Sequence, residues 1–157
     1  MKANKYLLTG VFLLVTIAVF SQDCVDYHRF ARCKMDLQRG YKKYSQSKSA
    51  AISELDTLEF NIVFYGQKDY IFSFCTRQDL YPINFRLLDP DSRTVLYDNA
   101  NDRYIESLSI GFDATRSLIV QVTVFAGRDN KGGAEADAGC IGLLLQYKNY
   151  PKEKKHE

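Results

Sequence analysis

Tryptophan is absent from the chain, and histidine occurs only twice. Without tryptophan, the strongest stacking side chain for sugar rings is missing, so any saccharide contact falls to tyrosine. Of the histidines, His156 lies in the charged C-terminal tail, which leaves His28 alone inside the domain. A Ser-His-Asp or Cys-His catalytic site would have to use His28. Cys24, His28 and Cys33 fit no standard zinc spacing, and no fourth ligand stands out. The chain also has no G-x-S-x-G elbow, no H-E-x-x-H helix and no phosphate-cradling glycine loop.

A surplus of one charge sign is missing too. The 157 residues hold 21 Lys+Arg and 19 Asp+Glu. Lys2 and Lys5 belong to a stretch with the three-part layout of a secretory signal. A positive start is followed by the apolar run Tyr6–Phe20, and Val19-Phe20-Ser21 then precedes Gln22. The run is shorter than the ~20 residues a spanning helix needs. Removal of residues 1–21 as a signal peptide leaves 136 (157 − 21) residues, with 19 basic against 19 acidic side chains. The electrostatic footprint of a nucleic-acid-binding face therefore goes with the signal, and no membrane span is left. The expected destination is periplasmic or secreted.

Four cysteines remain: Cys24, Cys33, Cys75 and Cys140. An even number in an exported chain reads as disulfides, and four allow three pairings.

Residues 22–57 read as a helical or irregular N-terminal segment. Tyr27, Phe30, Leu37, Tyr41 and Tyr44 fall at helical spacing, with a helix end near Gln38, and 45–53 is a loop or weak strand. From Leu58 the period changes to two. Leu58, Phe60, Ile62 and Phe64 alternate with Glu59, Asn61, Val63 and Tyr65, and a turn leads into Tyr70–Cys75. Further strands are expected at Ile83–Leu88, Thr94–Tyr97, Tyr104–Phe112, Leu118–Phe125 and Cys140–Tyr147. A Gly- and charge-rich loop (128–139) and a frayed tail (151–157) complete the chain. The fold class is mainly β, a single antiparallel sandwich over residues 58–150 with about six to eight strands.

This layout bears on the cysteines. Cys75 closes one strand and Cys140 opens the last, so the two ends meet if those strands are antiparallel neighbours. A Cys75–Cys140 bridge leaves Cys24 for Cys33. Nine residues of straight helix, however, span ~13.5 Å, beyond bridging reach, so that pair requires a bend.

The runs Asn61–Tyr70, Phe74-Cys75, Val95–Asn99, Arg116–Val120 and Gly139–Gly142 resemble an uncharacterised family of small exported proteins from Bacteroidetes-type bacteria, as does the Phe20-Ser21-Gln22 junction. The resemblance implies export and no particular activity. In layout alone the chain is similar to jelly-roll β-sandwich modules that follow secreted peptidases, which implies an accessory or binding role.

Three kinds of site are left to consider. Asp89, Asp91, Asp98, Asn99, Asn101 and Asp102 lie in two turns flanking one strand and offer the hard oxygen ligands that calcium takes, although turns favour the same residues on their own account. Tyr81, Tyr104 and Tyr150 fall near strand ends, where they could contact an envelope protein or a glycan. A hydrolase would need His28 or paired carboxylates in a cleft. The expected function is a non-enzymatic exported binding or accessory domain, with a carbohydrate-binding module or a small secreted hydrolase as the alternatives.

Overall fold

Alternation builds the strands. Ile62 and Phe64 of β3 (Thr57–Phe64) point inward, as do Tyr70, Phe72 and Phe74 of β4 (Lys68–Cys75). β5 (Ile83–Leu88) contributes Ile83, Phe85 and Leu87, and β8 (Arg116–Val124) contributes Leu118, Val120, Val122 and Val124. β9 (Gly139–Asn149) adds Ile141, Leu143 and Leu145. These side chains form one cluster. Full burial of a Phe is worth roughly 1.5–3 kcal/mol, so they hold the two layers together. The computed structural model describes residues 24–30, 33, 40–125 and 139–151. The signal segment, the helix end near Gln38, the stretch 126–138 and the tail beyond Pro151 lie outside the described residues.

The remaining elements are α1 (Tyr27–Phe30), β1 (Lys42–Lys43), β2 (Lys48–Ile52), β6 (Val95–Asp98) and β7 (Ser107–Phe112). One sheet runs β1-β9-β4-β7, with β2 also on β9, and the other runs β3-β8-β5-β6. All pairings are antiparallel. Four of them are nested: β2 with β9, β3 with β8, β4 with β7 and β5 with β6. The chain is thus one long hairpin rolled into a two-sheet sandwich, which is the jelly-roll arrangement.

β1 and β2 carry the sheet further toward the N-terminus than residue 58. Lys48–Ile52 has weak alternation because its first three residues are all half-buried and only Ile52 is fully buried, so the period-two signal is lost there. α-Helix is confined to one turn at Tyr27–Phe30 among the described residues, with short 3-10 turns at Gln78–Leu80 and Asn99–Asp102.

The cysteine expectation requires correction. β4 and β9 are indeed antiparallel neighbours, with Cys75 opposite Gly142. Yet Cys75 and Cys140 do not bond each other. Cys24 pairs with Cys140 and Cys33 with Cys75, at Cα–Cα distances of 5.2 and 5.0 Å. Each strand cysteine faces the outer side of its sheet and takes its partner from the N-terminal segment. The distance problem within that segment disappears, because Cys24 and Cys33 reach two strands instead of one another. The bridges press α1 onto β9 and β2. A Cβ on Gly142 would come within 2.8 Å of the Cys75 sulfur and 2.9 Å of the His28 Cα. Only glycine lets the segment lie this close.

Candidate functional site

His28 sits under the staple, buried between α1 and β2. Its backbone N–H donates to Ser49 Oγ at 2.9 Å, and its Nδ1 lies 2.8 Å from the same oxygen. Burial, and next the Lys43 charge, push its pKa below the ordinary value, which favours the neutral ring. Ser49 Oγ accepts the His28 amide and shares a second hydrogen bond with Nδ1, whose direction follows the ring tautomer, so one serine clasps the helix twice. Among the described residues no carboxylate hydrogen-bonds the ring. The pair is built as a clasp between α1 and β2, and the third member that would orient a catalytic imidazole is not part of it.

The turn acids are divided between the two ends of β6. Asp89 and Asp91 lie in the β5–β6 turn. There the Asp89 carboxylate accepts from the Ser92 and Asp91 amides and the Ser92 hydroxyl, and the Ser92 bonds hold its pKa down. Asp98, Asn99, Asn101 and Asp102 lie at the far end of β6. Asp98 accepts from Arg86 Nε at 2.7 Å, Asn84 Nδ2 at 2.8 Å and the Ala100 amide at 2.9 Å. Although desolvation raises its pKa, these donors hold it below the ordinary value. Asp102 accepts from the Tyr97 hydroxyl at 2.7 Å. Asp91 and Asn101 are exposed. Among the described residues, no group of three or more His, Cys, Asp and Glu side chains is gathered for a metal. The calcium ligand set is therefore split by the length of β6, and its strongest members already serve protein donors.

Asn99 does something the sequence did not announce. It is fully buried, and its side chain closes four hydrogen bonds. Oδ1 accepts from the Phe85 amide and Asn84 Nδ2 at 2.9 Å each; Nδ2 donates to the Ile83 and Ile105 carbonyls at 3.0 Å each. The Asn99 carbonyl also accepts from the Tyr104 amide at 2.9 Å. This network fixes the β6–β7 link, and with it Tyr104 and Ile105, against β5.

The link contributes to an exposed apolar tip. Tyr104 meets Phe125 edge-on at 5.5 Å between ring centroids. Leu55, in the β2–β3 turn, donates its amide to the Val124 carbonyl at 2.8 Å, which sets it beside Phe125. Leu55 is 71% exposed, Tyr104 36%, Ile105 38% and Phe125 38%. Two of the four have left-handed backbone, Leu55 at φ 65° and Tyr104 at φ 57°. Bulky residues avoid that region, which costs an L-residue roughly 1–2 kcal/mol. The Ser53–Asp56 turn closes through the Asp56 amide and the Ser53 carbonyl at 3.1 Å, and Leu55 occupies its third position. Glycine or asparagine is the ordinary occupant there.

The three tyrosines singled out from the sequence separate. Tyr104 belongs to this tip. Tyr81 packs against the core, where burial raises its pKa. Tyr150 is half-buried at the opposite end, beside Gly111. Leu55, Ile105, Phe125 and Ser49 were not picked out. For Leu55 a signal existed: an apolar residue alone in a polar turn that has no Gly, Asn or Pro.

Fold and surface define a disulfide-stapled jelly-roll sandwich with an apolar tip. No family profile and no curated protein matches the chain. Among solved structures it is similar to the crystal structure of Aeromonas hydrophila PliG, a periplasmic lysozyme inhibitor of g-type lysozyme. That likeness has 12% sequence identity and a TM-score of 0.47, over 73% of this chain and 93% of the other. Among the described residues no helix is long and apolar enough to cross a membrane.

Proposed function

We propose that the chain is an exported, non-enzymatic binding or accessory domain of the cell envelope that docks a protein partner on the tip formed by Leu55, Tyr104, Ile105 and Phe125. One observation carries this reading. Two bulky residues, Leu55 and Tyr104, occupy left-handed backbone at this exposed tip, Leu55 with 71% and Tyr104 with 36% of its surface in water. Such a placement lowers the stability of the free protein and is repaid when the side chains are covered by another surface. Asn99 supports the reading by holding the β6–β7 link rigidly, which lowers the entropy lost on docking. The two disulfides favour an oxidising compartment. The resemblance to exported Bacteroidetes-type proteins points the same way. The His28–Ser49 clasp and the occupied turn carboxylates speak for binding over hydrolysis.

The test is comparative capture from native envelope extract with three baits: the wild-type protein, Leu55→Asn and Ile105→Asp. A partner held by the wild-type protein and lost from both variants supports the reading. A partner held equally by all three, or hydrolytic activity that depends on His28, overturns it.

A further inference from the structure

The end of the sandwich opposite the apolar tip carries a different surface. On the outer face of the first sheet, Lys148 of β9 lies opposite Asp69 of β4, which lies opposite Gly111 of β7. Tyr41 precedes Lys42, the partner of Tyr147, and so continues the row beyond Lys148. The Lys148 ammonium sits 5.5 Å from the centroid of the Tyr41 ring. At the other end of the row the Tyr150 phenol crosses Gly111. A Cβ there would lie 2.5 Å from the Tyr150 hydroxyl and 3.0 Å from Asp69 Oδ1. The glycine is what allows the phenol to lie down beside the carboxylate.

The row is tyrosine, ammonium, carboxylate, tyrosine, across three strand intervals or ~14 Å. It runs into an open depression of about 500 Å³ lined by Gly111, Phe112, Asp113, Ala114 and Arg116. Tyr41, Lys148, Asp69 and Tyr150 are each half-exposed, so the surface is polar and reachable without being apolar. A protein partner favours a dry apolar centre, which this row lacks. Rings at both ends, with a hydrogen-bond acceptor and a donor between them, match a ligand that offers C–H faces and hydroxyls in alternation.

We infer that the row Tyr41–Lys148–Asp69–Tyr150 is a binding platform for a short linear saccharide, with the Asp113–Arg116 depression receiving one end of it. Tyr41 and Tyr150 pack against ring faces. Asp69 accepts from sugar hydroxyls, and Lys148 donates to hydroxyl or acetamido oxygens. The platform is separate from the apolar tip and does not depend on it.

Calorimetric titration of the full chain with tetramers of glucose (α-1,4 and β-1,4 linked), of N-acetylglucosamine and of galacturonic acid tests the inference. At least one tetramer binds, and Tyr41→Ala and Asp69→Asn each weaken it by about tenfold or more, while Leu55→Asn leaves it unchanged. Asp69→Asn keeps the shape of the side chain and serves as the reading if Tyr41→Ala does not fold. Absence of binding by every tetramer at about 10 mM, or binding unaffected by the platform variants, overturns the inference. A protein captured through the row instead of a saccharide overturns it as well. Because Leu55→Asn removes only tip binding, failure of the platform is distinguishable from failure of the docking tip.

Discussion

Leu55→Asn separates stability from binding in a single residue. In the native turn Leu55 holds φ at 65° with its side chain 71% exposed. A left-handed conformation costs an L-residue roughly 1–2 kcal/mol, and asparagine recovers part of that because it visits the region routinely. Full burial of a leucine is worth about 1.5–3 kcal/mol, but less than a third of this side chain is covered, so the burial lost is well under about 1 kcal/mol. The Leu55 amide bond to the Val124 carbonyl is backbone and survives the change. The balance is a gain of about 0.5 kcal/mol, equivalent to a rise of ~1–3 °C in melting temperature for a domain of this size. The assay is a thermal melt followed by circular dichroism, run beside capture of the envelope partner. The expected result is a protein that melts slightly higher and no longer holds its partner. A melting temperature lowered by several degrees would show that Leu55 supports the fold, and the argument from strain would fail.

Other consequences are as direct. Asn99→Leu leaves the Phe85 amide and the Ile83 and Ile105 carbonyls without their partner, each at roughly 1–3 kcal/mol, so chemical denaturation should show a loss of at least ~3 kcal/mol together with faster amide exchange at Tyr104. Gly142→Ala sets a methyl group against the Cys75 sulfur and the His28 backbone, and should cost about 1–3 kcal/mol through overpacking, measured by the same denaturation. Glu59 accepts from Arg93 and Gln121, which pull its pKa from 4.5 to about 2. A carboxylate with a depressed folded-state pKa contributes stability above its unfolded pKa and loses it as pH falls. Any advantage of the wild-type protein over Glu59→Gln should therefore fade between pH 4.5 and about 2, in melts taken across that window. Non-reducing peptide mapping should find Cys24 joined to Cys140 and Cys33 to Cys75; in the chain-entropy account, the separations of 116 and 42 residues make these bridges worth about 5 and about 4 kcal/mol.

The sandwich was legible because its inner positions obey a rule of two. Ile62 and Phe64 stand in the alternating set of the sequence and face inward in the fold, and the strands expected at Tyr70–Cys75 and Leu118–Phe125 supply Tyr70, Phe72, Phe74, Leu118, Val120, Val122 and Val124 to the same cluster. β2 was faint because its five residues bury mainly Ile52. The cysteine partners were not legible. Strand adjacency brings Cys75 near Cys140, but which side chain meets which depends on the outer face, and a helical reading of residues 24–33 gave no view of it. The turn acids were visible as a group in sequence, yet the four residues of β6 hold them apart. The apolar tip was hidden for another reason. Leu55, Ile105 and Phe125 come from three distant connections, and no spacing rule links them. Asn99 looked like an ordinary turn residue, since its burial comes from β5, a strand it meets only after the chain has doubled back.

The order of the bridges along the chain sets a problem for oxidation. A chain delivered N-terminus first presents Cys24 and Cys33 together before either true partner arrives. An oxidant acting then joins the wrong two thiols, and thiolate exchange must undo that bond before Cys75 and later Cys140 can be captured. The outermost strand pair and the longer covalent loop both wait for β9, so the last strand described completes the first two. Maturation should therefore call on a disulfide isomerase, where a protein with sequential bridges would need only an oxidase.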